Sequence, residues 1–161
     1  MKVRDSGMPD EGTWREFFDA EAIFRTLGLY ADADCVVDFG CGYGTFSIPA
    51  ARLIQGSVIA LDIEPEMIKL TREKTASEGL ANLEALQCDF LAEGTGLPDA
   101  SVDVAMLFNI LHTEHIGRLL QETWRILKPS GVVAITHWNY DVTTPRGPSM
   151  EIRPRPDQCR Q

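Results

Sequence analysis

Residues 36–44 read Val36-Val37-Asp38-Phe39-Gly40-Cys41-Gly42-Tyr43-Gly44, a short strand-forming run that gives way to three glycines at alternate positions. Two valines and a phenylalanine suit a buried strand. Glycine lets the backbone turn sharply and come close to a ligand. The next stretch, Phe46 to Ile54, reads as a helix. Strand, glycine turn and helix form the unit from which open α/β sheets build a ligand site at the carboxyl end of a strand.

The same alternation runs on through the chain. Val58 to Asp62 reads as a second strand and precedes a helix from Pro65 to about Glu78, with proline at its first position and Gly79 as its stop. Leu83 to Cys88 reads as a third strand and Val102 to Phe108 as a fourth. Ile116, Leu119, Leu120, Thr123 and Leu127 lie at helical spacing, ending before Pro129 and Gly131, and Val132 to Thr136 reads as a fifth strand. Strands this apolar, spaced by helices, predict a doubly wound α/β domain, mainly parallel, with helices on both faces. The predicted organisation is a helical lead-in over 1–30, the α/β domain over 31–138, and a loop-rich tail over 139–161 that ends as a helix begins. In the lead-in, Thr13 to Glu16 fits a capping box, and Asp19 caps a second stretch closed by Gly28.

Bulk properties narrow the function. The chain has 161 residues, enough for one core, with 44% hydrophobic and 24% charged residues. Neither a secretory leader nor an apolar run long enough to span a bilayer is legible, so a cytoplasmic location is expected. Cys35, Cys41, Cys88 and Cys159 form no C-x-x-C pair and are expected to be reduced thiols, Cys35 and Cys88 in buried strands. A net charge of −9 repels phosphate backbones, which favours a small-molecule partner over nucleic acid. Arg146, Arg153, Arg155 and Arg160 barely outweigh the acids of the tail and read as solvated.

Carboxylates sharpen the glycine turn. The dinucleotide pattern requires a third glycine where Thr45 stands, and Gly44 lies one place early. Asp38, two residues before the first glycine, would repel a pyrophosphate but suits a ligand carrying an ammonium and a sulfonium. Asp62 ends the second strand, where an acid accepts hydrogen bonds from ribose hydroxyls. Asp89 ends the third beside Phe90, offering an acceptor and an apolar ring to an adenine. Each acid alone could be a helix cap or a solvated strand end. Together they favour S-adenosylmethionine over a nicotinamide dinucleotide.

These residues carry a resemblance. Val36 to Gly44, Ala60-Leu61-Asp62-Ile63, Gln87-Cys88-Asp89-Phe90, Leu97 to Asp103 and Ile126 to Gly131 occur in the order of the class I S-adenosylmethionine-dependent methyltransferases, whose small-molecule branch the chain resembles over roughly residues 34–138. The resemblance implies that Gly40 and Gly42 line the methionine part, that Asp62 holds the ribose, and that Asp89 and Phe90 meet the adenine. Asp38, Cys41, Gly44, Ile63, Met67 and Asn109 complete the candidate cofactor-binding set. S-adenosyl-L-homocysteine would be the product.

Methyl transfer asks a protein for alignment and exclusion of water, and for a base only if the acceptor must lose a proton. Asn109 to His115 should run beside the methyl group. Asn109 and His112 are the candidate catalytic residues, Asn109 as a hydrogen-bonding group and His112 as a base, with helix packing as the competing role for His112. His112 and His115 form H-x-x-H without further ligands, so no metal is expected. Trp14, Phe17 and Phe18 are candidates for a lid or a staple, and Trp138 and Asn139 for the rim of the acceptor site.

The resemblance also implies a final helix and an antiparallel strand pair beyond the fifth strand, where this sequence reaches Gln161. The chain is therefore expected to be C-terminally short: either it is a fragment of a longer chain, or the fifth strand's edge is covered by the tail or by a second copy, since an open apolar edge associates. Two functions remain open: methyl transfer to a small molecule, and a non-catalytic S-adenosylmethionine-binding module or truncated subunit.

Overall fold

A computed structural model describes residues 9–29, 32–143, 147–155 and 157. Its centre is a five-stranded sheet: β1 Cys35–Phe39, β2 Ser57–Asp62, β3 Leu83–Gln87, β4 Val102–Phe108 and β5 Leu127–Thr136. All pairings are parallel, in the order β3-β2-β1-β4-β5. The chain winds outward from β1 to β3 and then returns to β4 on the other side of β1. The strand order therefore reverses between β1 and β4, where open α/β sheets leave a crevice for ligands.

Side-chain alternation on the central strands assigns the layers. Val36, Val58, Val104, Met106 and Phe108 share one cluster with Phe24, Phe46, Ala50 and Ala51, residues of α2 (Ala20–Leu27), α3 (Ser47–Leu53) and the turn before it. Ile68 of α4 (Pro65–Ser77) packs beside them on Ala60 and Ala85. Val37, Phe39, Leu61, Ala105 and Leu107 face the opposite way, onto Leu119 and Ile126 of α5 (Ile116–Ile126). Helices thus cover both faces, as predicted.

Coverage is incomplete, however. No helix joins β3 to β4. Residues 88–101 cross as turns, packing Phe90, Leu91 and Leu97 against the α5 face. Side chains of α5 replace helical hydrogen bonds there: Glu122 Oε1 accepts from Thr95 N–H and Oγ1–H, both at 2.6 Å, and Arg125 donates to the Leu97 carbonyl at 2.8 Å. The outer strands are also half open, with Leu83, Glu84, Leu86 and Gln87 of β3 and Val132, Val133 and Ile135 of β5 all reaching solvent. Cys35 and Cys88 are half-buried rather than buried. Cys41 is buried, all three thiols are free, and Cys159 lies outside the described residues.

Two boundaries differ from the sequence reading. The fifth strand begins at Leu127, not Val132, and α5 stops at Ile126. Leu127 is buried, so its spacing alone fits either element. Proline at 129 disfavours helix at Lys128, and Leu127 is already extended, with ψ 135°. Val102 pairs with Leu127 and Val104 with Val132, so 128–131 bulges out between them. The second difference lies in α1 (Glu11–Arg15), whose N-cap is Asp10. Its carboxylate accepts from Thr13 N–H at 3.2 Å, which places Thr13 inside the helix rather than at a capping box. Asp19 caps α2 by accepting from Ala22 N–H, and Gly28 closes it in the left-handed conformation. The tail over 139–155 has turns but no strand or helix among its described residues, and apart from Asp157 the stretch expected to begin a helix lies outside them.

Gly56 shows how tightly the entry to the sheet is packed. A Cβ there would lie 2.3 Å from the carbonyl oxygens of Ala33 and Asp34, backbone atoms that cannot swing aside. Gly56→Ala is expected to destabilise the fold by about 3 kcal/mol, read as a lower urea midpoint with an unchanged slope.

Candidate functional site

The glycine turn leaves β1 at the point of reversal. Gly40, Gly42 and Gly44 all have positive φ, at 74°, 51° and 74°. A Cβ on Gly40 would meet Ile110 Cδ1 at 2.9 Å, and one on Gly44 would press on Thr71 and Ile48. Gly40 and Gly44 are thus fixed by conformation and by space.

Several groups hold the turn from below. Gly40 and Cys41 N–H both donate to the Leu61 carbonyl, at 2.8 and 2.9 Å. Asp62 Oδ2 accepts from Gly42 N–H at 2.8 Å while Oδ1 accepts from Glu64 N–H at 3.0 Å. One carboxylate thereby joins the turn to the start of α4. Glu64 itself makes no side-chain cap. Thr71 Oγ1 donates to the Gly42 carbonyl at 3.1 Å, and Lys74 Nζ bridges the Tyr43 carbonyl and Glu11, both at 2.7 Å. Tyr43 in turn donates its hydroxyl to the Pro9 carbonyl, tying the N-terminal segment over the turn.

Asp38 lies beneath the turn rather than on its surface. It is 1% exposed and accepts a 2.5 Å hydrogen bond from Ser47 Oγ. Burial pushes its carboxyl up to about 7, against the pull of the Ser47 hydroxyl and with a further push from the charge of Asp62. Burial also raises Asp62, opposed by the Glu64 and Gly42 N–H groups. The Cys41 thiol is raised well beyond its usual range by burial and by both carboxylates, so it is no nucleophile.

Other predicted residues fall around this centre. Ile63 directly follows Asp62, and Met67 stands on the first turn of α4; both are half-buried. Asp89 is half-buried at the end of β3, where its Oδ1 accepts from Ala92 N–H at 3.0 Å. The Phe90 ring lies edge-on to Phe39 at 5.1 Å inside the core, which leaves a ligand little open face. Asn109 follows β4 with φ 55°, a conformation that costs most residues about 1 kcal/mol but that asparagine tolerates. Its N–H donates to the Thr136 carbonyl at 2.8 Å, joining the ends of β4 and β5. Its side-chain nitrogen is buried without a partner.

His112 is 5% exposed. Burial lowers it to about 4, helped by His137, whose ring lies 5.9 Å away, and opposed by the Asn109 backbone. A neutral imidazole at physiological pH follows. His115 is the N-cap of α5. Among the described residues no group of three or more histidines, cysteines or acids could hold a metal ion, and no helix is long and apolar enough to cross a membrane. Trp138 sits edge-on to Phe17 and Phe18, at 5.8 and 5.9 Å, and Phe18 continues onto Phe46. These aromatics staple the lead-in to the sheet.

Sequence reasoning missed Ser47, Thr71, Lys74 and His137. Thr71 and Lys74 are three apart on α4, one helical face, and Ser47 is the first residue of α3; each signal needed the fold before it meant anything. His137 belongs to no motif.

A methyltransferase-domain family matches residues 36–131. The ubiquinone/menaquinone biosynthesis C-methyltransferase UbiE of Marinomonas sp. (strain MWYL1) is 29% identical over 110 residues, 66% of this chain and 43% of the relative. Aklanonic acid methyltransferase DauC of Streptomyces sp. (strain C5) is 40% identical over 104 residues, 63% of this chain and 46% of the relative. The chain spans less than half the length of either. The crystal structure of a SAM dependent methyltransferase from Aquifex aeolicus superposes with a TM-score of 0.79 at 28% identity, covering 91% of this chain and 77% of that one. With its glycine turn at the reversal of a β3-β2-β1-β4-β5 sheet, the chain belongs to the S-adenosylmethionine-dependent methyltransferase family.

Proposed function

We propose that the chain is a cytoplasmic methyltransferase that binds S-adenosylmethionine over the β1–α3 turn and serves a small-molecule acceptor. The observation that carries this reading is a pair of buried polar atoms without partners, Thr45 Oγ1 and Asn109 Nδ2, on residues that follow β1 and β4, the two strands flanking the reversal. Leaving such atoms unpaired costs about 1–3 kcal/mol each, a cost that the polar groups of a ligand bound at the turn would offset.

Bound, the cofactor supplies a methyl group already activated on its sulfonium. The residues of the chain do the rest. Gly40, Cys41, Gly42 and Gly44 give close backbone approach to the methionine part, with Asn109 Nδ2 as a donor to its carboxylate or to the acceptor. Asp62 spends one hydrogen bond on Gly42 and one on Glu64, and its remaining lone pairs suit ribose hydroxyls. Ile63 and Met67 border that side. Asp89 closes the adenine end as an acceptor for the exocyclic amine, backed by Phe90 from within the core. Asp38 contributes charge from below the turn. His112, neutral and buried, is placed to receive a proton. DauC and UbiE are named for small-molecule substrates, which favours the same class here over nucleic acid, as does the net charge of −9.

The test is transfer of label. Incubation with methyl-labelled S-adenosylmethionine and a small-molecule metabolite extract should move label into an extract fraction, and Asp62→Ala should abolish that transfer. No transfer to any fraction, with cofactor still bound, would replace this reading with a binding module. The exposed Val132, Val133 and Ile135 along β5 also favour association of two copies at that edge. Sedimentation should then show dimer at high concentration, and a monodisperse monomer would contradict it.

A further inference from the structure

Successive peptides of the glycine turn are each pinned by a hydrogen bond. The Cys41–Gly42 peptide gives its N–H to Asp62 at 2.8 Å, and its carbonyl accepts from Gly44 N–H at 2.9 Å. The Gly42 carbonyl accepts from Thr71 Oγ1 at 3.1 Å, and the Tyr43 carbonyl from Lys74 Nζ at 2.7 Å. Glycine leaves the peptide planes beside it free to rotate, so these anchors set where each carbonyl and its opposed N–H point. Asp62 and Thr71 are buried, short side chains. Lys74 is different, a half-buried ammonium on a flexible stem that needs a second partner to stay over one carbonyl.

That partner is Glu11 of α1, 2.7 Å from Nζ. None of the five residues of α1 is buried. Its Trp14 ring meets Phe17 and Phe18, and two polar ties lead from this end of the chain to the turn. One is the Glu11–Lys74 pair, and the other is the Tyr43 hydroxyl on the Pro9 carbonyl. Tyr43 is thus held at its hydroxyl through Pro9 and at its carbonyl through Lys74, whose ammonium also lies 5.7 Å from the centre of its ring. A helix with so little buried surface docks weakly, and its docking responds to what its few ties hold.

We propose that Lys74 is a positioning residue that couples the docking of α1 to the affinity of the turn for its cofactor. With Glu11 in place, the ammonium stays on the Tyr43 carbonyl and the turn keeps the geometry that a ligand meets. With α1 undocked, the ammonium swings to water, and the Tyr43–Gly44 peptide is left with the Gly44-to-Cys41 hydrogen bond alone. Glu11 acts only through Lys74 and touches no ligand. The coupling rests on S-adenosylmethionine occupying the turn, as proposed above, and it is reciprocal, so bound cofactor also holds α1 down.

A double-mutant cycle in S-adenosylhomocysteine affinity, measured on the 161-residue chain, tests it. Lys74→Met should weaken binding about tenfold, the loss of one charge-assisted hydrogen bond on the turn. Lys74→Arg, whose fork can reach both partners, should recover most of that loss. Glu11→Gln should weaken binding about threefold in the parent and leave it unchanged in Lys74→Met. Amide hydrogens of Glu11 to Arg15 should exchange more slowly with ligand bound in the parent, but not in Lys74→Met. A merely structural lysine would lower the urea midpoint, give additive losses and leave exchange in α1 indifferent to the ligand. Equal losses from Glu11→Gln in both backgrounds overturn the coupling. Full affinity in Glu11→Gln overturns it too, and that variant changes only a half-buried side chain, so it decides the matter even if Lys74→Met fails to fold. If the parent binds S-adenosylhomocysteine and Glu11→Gln binds it equally well, the coupling alone is lost. If the parent does not bind it, the cofactor reading fails and the coupling with it.

Discussion

Asp62→Ala is expected to weaken S-adenosylhomocysteine binding by about a hundredfold or more and to cost the fold about 2 kcal/mol. The two losses have different origins. Both oxygens of Asp62 are occupied in the free protein, one on Gly42 N–H and one on Glu64 N–H. Alanine leaves both donors without that acceptor at a residue only 8% exposed, and hydrogen bonds to a charged group contribute about 1.5–3 kcal/mol. The affinity loss adds the ribose contact to a turn that is no longer held. Asp62→Asn divides the two effects. Its single carbonyl oxygen can still accept from Gly42, so most of the stability should return, while a ribose meets an amide in place of a carboxylate and affinity should stay at least about tenfold down. Chemical denaturation and calorimetry on the two variants give both numbers. Full affinity in Asp62→Ala would remove this residue from the site.

The second large effect is a dependence on pH centred on Asp38. An aspartate in an unfolded chain titrates near ~3.9, whereas burial holds Asp38 up at about 7. Between these values the folded chain binds a proton that the unfolded chain has released, so stability falls as pH rises. The stabilisation is fully present below about pH 4 and lost by the time pH passes about 7, a change on the order of 4 kcal/mol from this group alone. Asp38→Asn imitates the protonated carboxyl and can still accept from Ser47, so it should remove this slope and leave the protein more stable than the parent at pH 8. Denaturation midpoints at pH 5 and pH 8 for both proteins decide it. A parent whose stability does not fall over that range would show that Asp38 is ionised in the folded state.

Cofactor binding should report the same group with the opposite sense. A sulfonium and an ammonium above the turn favour ionised Asp38, so S-adenosylmethionine affinity should rise about tenfold between pH 6 and pH 8. S-adenosylhomocysteine carries the same amino group but no sulfonium, so its affinity should rise less. The ratio of the two isolates the charge on sulfur.

The parts of this architecture that were legible in the sequence are those whose side chains face a single environment. β1, β2 and β4 lie inside the sheet, so their apolar runs are nearly unbroken, and the glycine turn is fixed by conformations that other residues rarely adopt. The edges were harder to read. β5 begins inside what spacing alone extends as a helix, because Leu127 is buried under either assignment and only the following Lys128-Pro129 step decides. The capping box at Thr13 was a valid local pattern that lost to Asp10, three residues earlier, with an equally good side chain. The acids at the strand ends were legible as positions, but their environments were not. Nothing in the sequence shows that Asp38 is sealed beneath the turn against Ser47 while Asp62 clamps Gly42. His137 was invisible for a related reason: a lone histidine after a strand acquires meaning only when β5 sets it beside His112.

All of this depends on whether S-adenosylmethionine chemistry belongs to the turn at Gly40, Gly42 and Gly44. Isothermal titration of the 161-residue chain with S-adenosylhomocysteine, and separately with NAD, is the most direct measurement. The expected result is saturable binding of S-adenosylhomocysteine at one site per chain, weakened about a hundredfold or more in Asp62→Ala, and no heat from NAD. Binding of NAD in its place, or of neither, would contradict it.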